Sequence, residues 1–217
     1  MISKVFRERA DPIWRSILKH PFLEGLKTGT LPKESFKFFV AQDFLFLQCM
    51  IKCLKITETK ATDNYSKRLI SSMRSSSEGV EMESLSRLAD RLGGINFKAV
   101  EYAPTCYAYT RHLLCTASLG SFVEAMAAIT PCYWSYMEIG EHLQSSPDPI
   151  YDGWIKTYVS KEYKDLVSEI LGVLDRAGIG QSEESINAAM KAFLVSSEYE
   201  YMFWDMAHNR EKWRHDL

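Results

Sequence analysis

The sequence predicts an all-α protein, built as a single-domain helical bundle over residues 1–217. Apolar residues recur at intervals of three and four along nearly every segment, which places them on one face of an α-helix. No segment shows the alternation of apolar and polar residues that is typical of a half-buried strand. No internal repeat or low-complexity linker divides the chain, and its length and 46% hydrophobic content suffice for one sizeable core.

Helix-start and helix-stop residues divide this pattern into successive helices. The first helix is expected to end before Pro21, and a turn through Gly25 and Gly29 is expected to follow it. Between residues 63 and 92 the periodicity is weaker, so one helix and two helices fit it equally well. Ser182 is expected to cap the last helix, because serine is a preferred N-cap residue. The other helices are expected at about 3–19, 33–59, 104–117, 120–143, 148–159 and 161–176.

The overall composition excludes several classes of protein. Acidic and basic residues number 28 and 26 and are mixed along the chain, so the basic surface typical of nucleic-acid binding is absent. No apolar run has the length of a membrane span, and segment 1–15 lacks the apolar core of a signal peptide. Five cysteines are an odd number in a chain of this size, which argues against a full disulfide framework. These observations predict a cytoplasmic protein that binds neither nucleic acid nor membranes.

Cys132 directly follows Pro131 inside the predicted helix 120–143. Proline cannot donate to the helix ladder and usually bends the helix, which leaves a backbone carbonyl free nearby. Cys132 and Tyr136 lie on the apolar stripe, because they continue its three- and four-residue steps. A thiol at such a position is a candidate for chemistry, although a lone cysteine on an apolar stripe is more often a small core residue. The remaining cysteines are interpreted as packing residues: Cys49, Cys53, Cys106 and Cys115.

Polar side chains also interrupt the apolar faces of other predicted helices. Asp43, Tyr109 and Glu200 each lie on the apolar stripe of a different helix. An unpaired charge is costly to bury, so these groups need partners, and a polar cavity shared with Cys132 would satisfy them together. Desolvation in such a cavity raises the pKa of a carboxyl group, which would suit Glu200 to proton transfer.

The spacing of histidine and acidic residues favours a metal-free site. Helical bundles hold paired metals through repeated Glu-x-x-His motifs, and the comparable element Asp205-x-x-His208 has no second copy. His20 could be offered as a haem ligand, but a lone histidine near a helix end is more often a cap or a surface residue. No glycine-rich phosphate loop and no local signature of a Ser-His-Asp triad is present.

An ordered set of short blocks extends over nearly the whole chain: His20-Pro21-Phe22, Gly29-Thr30-Leu31-Pro32, Phe36, Gln42-Asp43-Phe44-Leu45-Phe46-Leu47, Pro131-Cys132-Tyr133-Trp134-Ser135-Tyr136, Glu138-Ile139-Gly140, Trp154-Ile155 with Tyr158, and Glu200-Tyr201-Met202-Phe203-Trp204-Asp205-Met206-Ala207. These blocks resemble those of the TenA family, the thiaminase II group with the haem-oxygenase-like helical fold. The block with Pro131-Cys132 and the block that begins at Glu200 are each fairly specific. The cysteine is typical of the cysteine-containing branch of the family.

The resemblance implies a hydrolase that acts at the methylene carbon attached to a pyrimidine ring. The substrate class of the family is 4-amino-5-aminomethyl-2-methylpyrimidine, which yields the hydroxymethylpyrimidine and ammonia for thiamine salvage, and thiamine itself can also be split. By resemblance, no metal or organic cofactor is required and a homotetramer is expected.

The resemblance also implies a role for each site residue. Cys132 would be the nucleophile that adds to the pyrimidine ring, and Glu200 would move protons to the leaving group and from water. Asp43 would accept hydrogen bonds from the amino group and a protonated nitrogen of the ring. The aromatic residues expected at the substrate are Phe46, Tyr109, Tyr136, Tyr158 and Phe203.

Phe46 marks one departure from the family pattern. Many members carry tyrosine at this position, so this chain lacks a hydroxyl group near the proposed acid/base. Two other hypotheses are compatible with the same fold, since a fold alone does not fix a function. One is a non-catalytic pyrimidine-binding or regulatory protein, and the other is an oxidase of the related pyrroloquinoline-quinone-biosynthesis type.

Overall fold

Helices are the only regular elements in residues 1–215, the part of the chain that the computed structural model describes. This confirms the predicted all-α class, while the single domain over 1–217 stays a prediction because residues 216 and 217 lie outside the described part. No helix within 1–215 is long and apolar enough to cross a membrane. The α-helices of this part are α1 (Ile2–Leu18), α2 (Pro21–Thr28), α3 (Lys33–Lys60), α4 (Asn64–Ser76), α5 (Met82–Arg91), α6 (Pro104–Leu119), α7 (Phe122–Leu143), α8 (Pro149–Val159), α9 (Lys161–Ala177) and α10 (Glu183–Asn209).

The segment that begins at Pro21 is a helix, so the predicted turn through Gly25 and Gly29 is wrong. Pro21 lies in the first turn of α2, where its missing N–H leaves no hydrogen bond unmade, and the side chain of His20 caps the helix by accepting a backbone N–H. Gly25 lies inside α2, where an added Cβ would be 3.0 Å from the Cβ of Leu31. Gly29 ends the helix in the left-handed conformation at a φ of 73°. The glycines therefore serve close packing and a helix end.

Helix α4 continues into α5 through a π-helical turn, Ser77–Glu81. The buried residues Met73, Ser77, Leu85 and Ala89 are spaced by multiples of four. In a straight α-helix such a stripe drifts around the axis, because one turn takes 3.6 residues. The wider π turn offsets part of this drift, and the change of period explains the weak pattern between residues 63 and 92.

Helices α7 and α10 form the most extensive helix pair in the described chain, and α1 packs against α10. Trp14 of α1 joins all three helices. Its ring stacks on Phe193 with centroids 6.1 Å apart and meets the edge of Trp134 at 5.4 Å. Its indole N–H donates a hydrogen bond to Ser197 Oγ at 2.9 Å. The helices that carry the candidate cysteine and glutamate are therefore fixed against each other.

Helix α8 approaches α7 closely at Gly140. A Cβ on Gly140 would lie 2.9 Å from the Cβ of Tyr158 and 3.1 Å from the carbonyl carbon of the same residue. Real Cβ atoms do not approach other atoms so closely, so a side chain at this position would displace α8 and the phenol that it carries.

We expect Gly140→Ala to lower the free energy of unfolding by about 1–3 kcal/mol, because the cost of overpacking exceeds the gain in helix propensity. Urea denaturation followed by circular dichroism measures the change. Gly172→Ala in α9 is the matched control, since its nearest neighbour would be Arg176 Nη1 at an ordinary contact distance of 3.6 Å. Equal stability of the two variants would contradict the close packing of α8 on α7.

Candidate active site

A cavity of about 610 Å³ lies between α3, the π-helical turn, α5, α7, α8 and α9. Small-molecule sites have volumes in this range and combine apolar walls with a few polar groups. The cavity brings together a carboxylate, a thiol and two phenols from three helices that are separate in the sequence. The predicted site residues that line it are Asp43, Phe46, Cys132, Tyr136 and Tyr158.

The other predicted residues, Tyr109, Glu200 and Phe203, are buried and do not line the cavity. The hydroxyl of Tyr109 donates a hydrogen bond to Glu200 Oε1 at 2.6 Å. The ring of Phe46 lies 5.0 Å from that of Tyr109 and 5.7 Å from that of Phe203, measured between centroids. Since Phe46 also lines the cavity, these residues form a layer of side chains behind its wall.

Cys132 lies half-buried on α7, which runs through Pro131 as one helix. Burial raises the pKa of the Cys132 thiol well above its usual range, and the negative charges of Glu200, Asp43 and Glu81 raise it further. Cys132 is therefore a protonated thiol at neutral pH. Its activation as a nucleophile requires a group that accepts the thiol proton.

The carboxyl groups of Glu200 and Asp43 have pKa values close to neutral pH. Burial raises the pKa of Glu200 to about 8; the hydrogen bond from Tyr109 opposes this shift, and the charge of Asp43 adds to it. Burial raises the pKa of Asp43 to about 7, with a contribution from the charge of Glu81. Among residues 1–215, no basic side chain forms an ion pair with either group. Both groups can therefore gain or lose a proton at neutral pH.

Glu81 is a further cavity-lining carboxylate, which the helical periodicity of the sequence did not indicate. It ends the π-helical turn, and Ser77 Oγ donates a hydrogen bond to its Oε1 at 3.1 Å. Burial raises the pKa of its carboxyl group. One feature of the sequence could have pointed to Glu81. This acid lies beside a run of serines and Gly79, and that run interrupts the helical pattern. Such interruptions mark irregular helical turns, which are frequent at functional sites.

Aromatic rings form one wall of the cavity. The centroids of Trp154 and Tyr158 are 4.8 Å apart, and that of Tyr136 lies 5.0 Å from Tyr158 and 6.0 Å from Trp154. Aromatic pairs of this kind each contribute on the order of 0.5–1.5 kcal/mol beyond burial. Burial and nearby carboxylates raise the pKa of both phenols, so each remains a neutral hydrogen-bond donor.

The histidine positions considered in the sequence lie outside this cavity. His20 is the N-cap of α2, as expected, and its Nε2 lies 3.0 Å from Asp205 Oδ1. Within residues 1–215, no group of three or more His, Cys, Asp or Glu side chains has an arrangement that could hold a metal ion.

Cys115 is exposed, so its interpretation as a packing residue is wrong, whereas Cys49, Cys53 and Cys106 are buried.

Comparison with protein families matches residues 7–210 to the TENA/THI-4/PQQC family. This chain belongs to that family. The match confirms the resemblance drawn from the sequence blocks, and the TENA/THI-4/PQQC assignment covers both the cavity-lining residues and the Tyr109–Glu200 layer behind them.

Individual relatives of the TENA/THI-4/PQQC family agree with this assignment. The chain is 36% identical over 215 residues to a protein of Halalkalibacterium halodurans named aminopyrimidine aminohydrolase, with 96% of each chain covered. It superposes on the structure of a TenA homologue from P. horikoshii OT3 with a TM-score of 0.89 at 32% identity, covering 96% of this chain and 99% of the other. A Shewanella denitrificans domain with a haem-oxygenase-like fold shares the fold alone, at 14% identity and a TM-score of 0.73 over 97% of this chain and 93% of that domain.

Cys132 should react slowly with iodoacetamide at pH 7, because only the thiolate is reactive. In the unmodified protein Glu200 ionises near pH 8, and above that pH its charge opposes thiolate formation. Glu200→Gln cannot ionise, so labelling of Cys132 at about pH 9 is expected to rise by ~3-fold or more. Mass spectrometry of the labelled peptides measures the rates.

Glu198→Gln is the matched control for this experiment, because Glu198 is exposed on the same helix. It should leave the labelling of Cys132 unchanged, and the exposed Cys115 should react first in every variant. Equal labelling of Cys132 in the unmodified protein and in Glu200→Gln would refute the charge coupling between the two residues.

Proposed function

We propose that this protein is an aminopyrimidine aminohydrolase of thiamine salvage. It converts 4-amino-5-aminomethyl-2-methylpyrimidine and water into the hydroxymethylpyrimidine and ammonia. The observation that carries this proposal is the convergence of Cys132 and Asp43 on one cavity, with Glu200 in the layer behind it. The name of the 36% identical relative supports the choice of substrate.

Asp43 binds the pyrimidine ring. The amino group and an adjacent protonated ring nitrogen present two parallel donors, which match the two oxygens of a carboxylate. The protonated ring lowers the pKa of Asp43 from its value of about 7 in the free cavity and holds it ionised. Tyr136, Trp154 and Tyr158 provide the aromatic wall beside the flat ring.

Cys132 acts as the nucleophile. Its thiol gives its proton to Glu200 as that carboxyl group protonates the leaving amine, and the sulfur forms a bond to a carbon of the ring. The addition interrupts the aromatic system and supplies the electron pair that expels the nitrogen on the exocyclic methylene carbon. The protonated resting state of Cys132 restricts its reactivity until a ring is bound.

Glu200 transfers protons during cleavage of the exocyclic carbon–nitrogen bond. It keeps the amine protonated while that bond breaks, so that the nitrogen leaves as ammonia. It then takes a proton from the water that adds to the methylene carbon, and release of the sulfur restores the aromatic ring and the thiol. The hydrogen bond from Tyr109 orients the carboxylate, while Phe46 contributes an apolar ring and Phe203 packs behind it. Thiamine would follow the same steps with its thiazole as the leaving group.

Cys132→Ala is expected to reduce ammonia release from the aminomethylpyrimidine by at least ~100-fold, because the covalent step is lost. Its circular dichroism spectrum and melting temperature should stay close to those of the unmodified protein. Cys115→Ala, at an exposed site, is the control and should keep full activity. Full activity of Cys132→Ala would refute the nucleophile. Ligand-induced stabilisation of the unmodified protein without turnover, tested also with thiamine, would instead favour the non-catalytic hypothesis.

The pH profile of kcat/KM is expected to be bell-shaped, since it reports the ionisable groups of the free enzyme. Activity should rise as Asp43 ionises near pH 7 and fall as Glu200 loses its proton near pH 8. The two apparent values belong to the coupled site. Residual activity of Glu200→Gln should lack the alkaline limb. A profile that stays flat between about pH 6 and 9 would contradict these assignments.

The homotetramer implied by the resemblance and the cytoplasmic location predicted from the composition stay predictions. Both belong to this proposal, and neither is required by the chemistry of the cavity described above.

A further inference from the structure

Glu81 lines the cavity, and the steps proposed above assign it no role. Its neighbours Val80 and Ser84 also line the cavity and are exposed to solvent. The wall that carries Glu81 therefore extends from the surface into the interior. Glu81 lies on the part of the wall that reaches the surface, whereas Glu200 is buried and acts on the cavity-lining Cys132 through its charge.

The charge around Glu81 is uncompensated. Among residues 1–215, no basic side chain pairs with its carboxylate. Arg87 and Arg91 also line the cavity, but their guanidinium groups have other partners. Arg87 donates to Glu83 Oε1 at 2.7 Å, and Arg91 donates to the carbonyl of Pro149 at 3.0 Å.

Asp43 adds to the uncompensated negative charge in the cavity. The carboxylate of Asp43 faces the same cavity and has no hydrogen-bond or ion-pair partner among residues 1–215. Burying negative charge is costly unless a positive charge compensates it. If Asp43 is occupied by the ring of the substrate, the charge of Glu81 remains available for a second positive group of the same ligand.

We propose that Glu81 is a specificity-determining residue, whose carboxylate binds the positively charged substituent at the exocyclic methylene carbon of the substrate. The inference rests on the proposed function, in which that substituent is a primary ammonium group or a thiazolium ring. A primary amine is largely protonated at neutral pH, and a charge-assisted hydrogen bond to a carboxylate is about twice as strong as a neutral one. Glu81 thereby favours cationic ligands over neutral pyrimidines of the same shape.

The π-helical turn provides the means of placing this acid. The turn reduces the drift of the inward stripe, so that Glu81 follows Ser77 and precedes Leu85 on the cavity side of the helix. Ser77 is fully buried, and its hydroxyl holds one oxygen of Glu81 at 3.1 Å. The side chain of Ser76, which also lines the cavity, is a second hydrogen-bonding neighbour of this carboxylate.

Equilibrium binding to the Cys132→Ala protein tests the inference without turnover. The probes are the aminomethylpyrimidine, which is cationic, and the hydroxymethylpyrimidine, which is neutral at the same substituent. Adding Glu81→Gln is expected to weaken binding of the cationic probe by about 10- to 100-fold, as expected for loss of a hydrogen bond between charged groups. Binding of the neutral probe should change by less than ~3-fold. Isothermal titration calorimetry measures both dissociation constants.

Matched variants separate this role from general effects of charge. Glu78→Gln removes an exposed acid of the same π-helical turn that does not line the cavity, and it should leave both probes unaffected. Asp43→Asn should weaken both probes, because it contacts the shared ring. Glu81→Asp keeps the charge and should keep part of the preference for the cationic probe, which also guards against misfolding of the glutamine variant.

Equal effects of Glu81→Gln on the two probes, or no effect on either, would overturn the inference. Ring binding with an intact preference but no ammonia release by the unmodified protein would overturn the proposed hydrolysis alone. If the Cys132→Ala protein bound neither pyrimidine, both the proposed function and the proposed role of Glu81 would be refuted.

Discussion

Desolvation of ionisable groups is the constraint on which the properties of this site depend. Glu200 is surrounded by protein, with a hydrogen bond from Tyr109 and no basic partner among residues 1–215. Its pKa rises to about 8 for that reason, and the same burial keeps the Cys132 thiol protonated. A bundle that buried these groups beside lysine or arginine would fix their charges permanently. Here their protonation can respond to a ligand.

Helix packing maintains this arrangement, because the groups belong to helices that are far apart in the chain. Trp14 holds α1 against α7 and α10 through its contacts with Trp134 and Phe193 and its hydrogen bond to Ser197. Gly140 allows α8 to approach α7, which brings Tyr158 to the cavity. The distances between thiol, carboxylates and phenols are therefore set by large apolar contacts outside the cavity. The site itself can remain polar and hollow without supporting the fold.

The sequence predicted those parts of the structure in which a regular period reveals which side chains point inward. Asp43, Cys132 and Glu200 were identifiable because each interrupts the apolar stripe of a long helix. Glu81 was missed because the period changes at the π turn, and α2 was missed because Gly25 resembles a turn residue although it serves close packing with Leu31. Periodicity could not predict that Glu200 lies behind the cavity wall. A helical stripe predicts only which way a side chain points, whereas the contacts of Phe46 with Tyr109 and Phe203 depend on how the helices pack.

Substrate charge and site protonation are linked under the proposed function. In the free cavity, burial raises the pKa of both Asp43 and Glu81, and the charge of Glu81 raises that of Asp43 further. A ligand with a protonated ring and a cationic substituent reverses both effects, since an opposite charge stabilises a carboxylate. A cationic ligand therefore favours the ionised forms of both acids. The same acids oppose a thiolate at Cys132, and the cationic ligand removes that opposition by compensating their charge. Binding of the correct charge thus favours the reactive form of the nucleophile, so recognition and activation follow from one electrostatic balance.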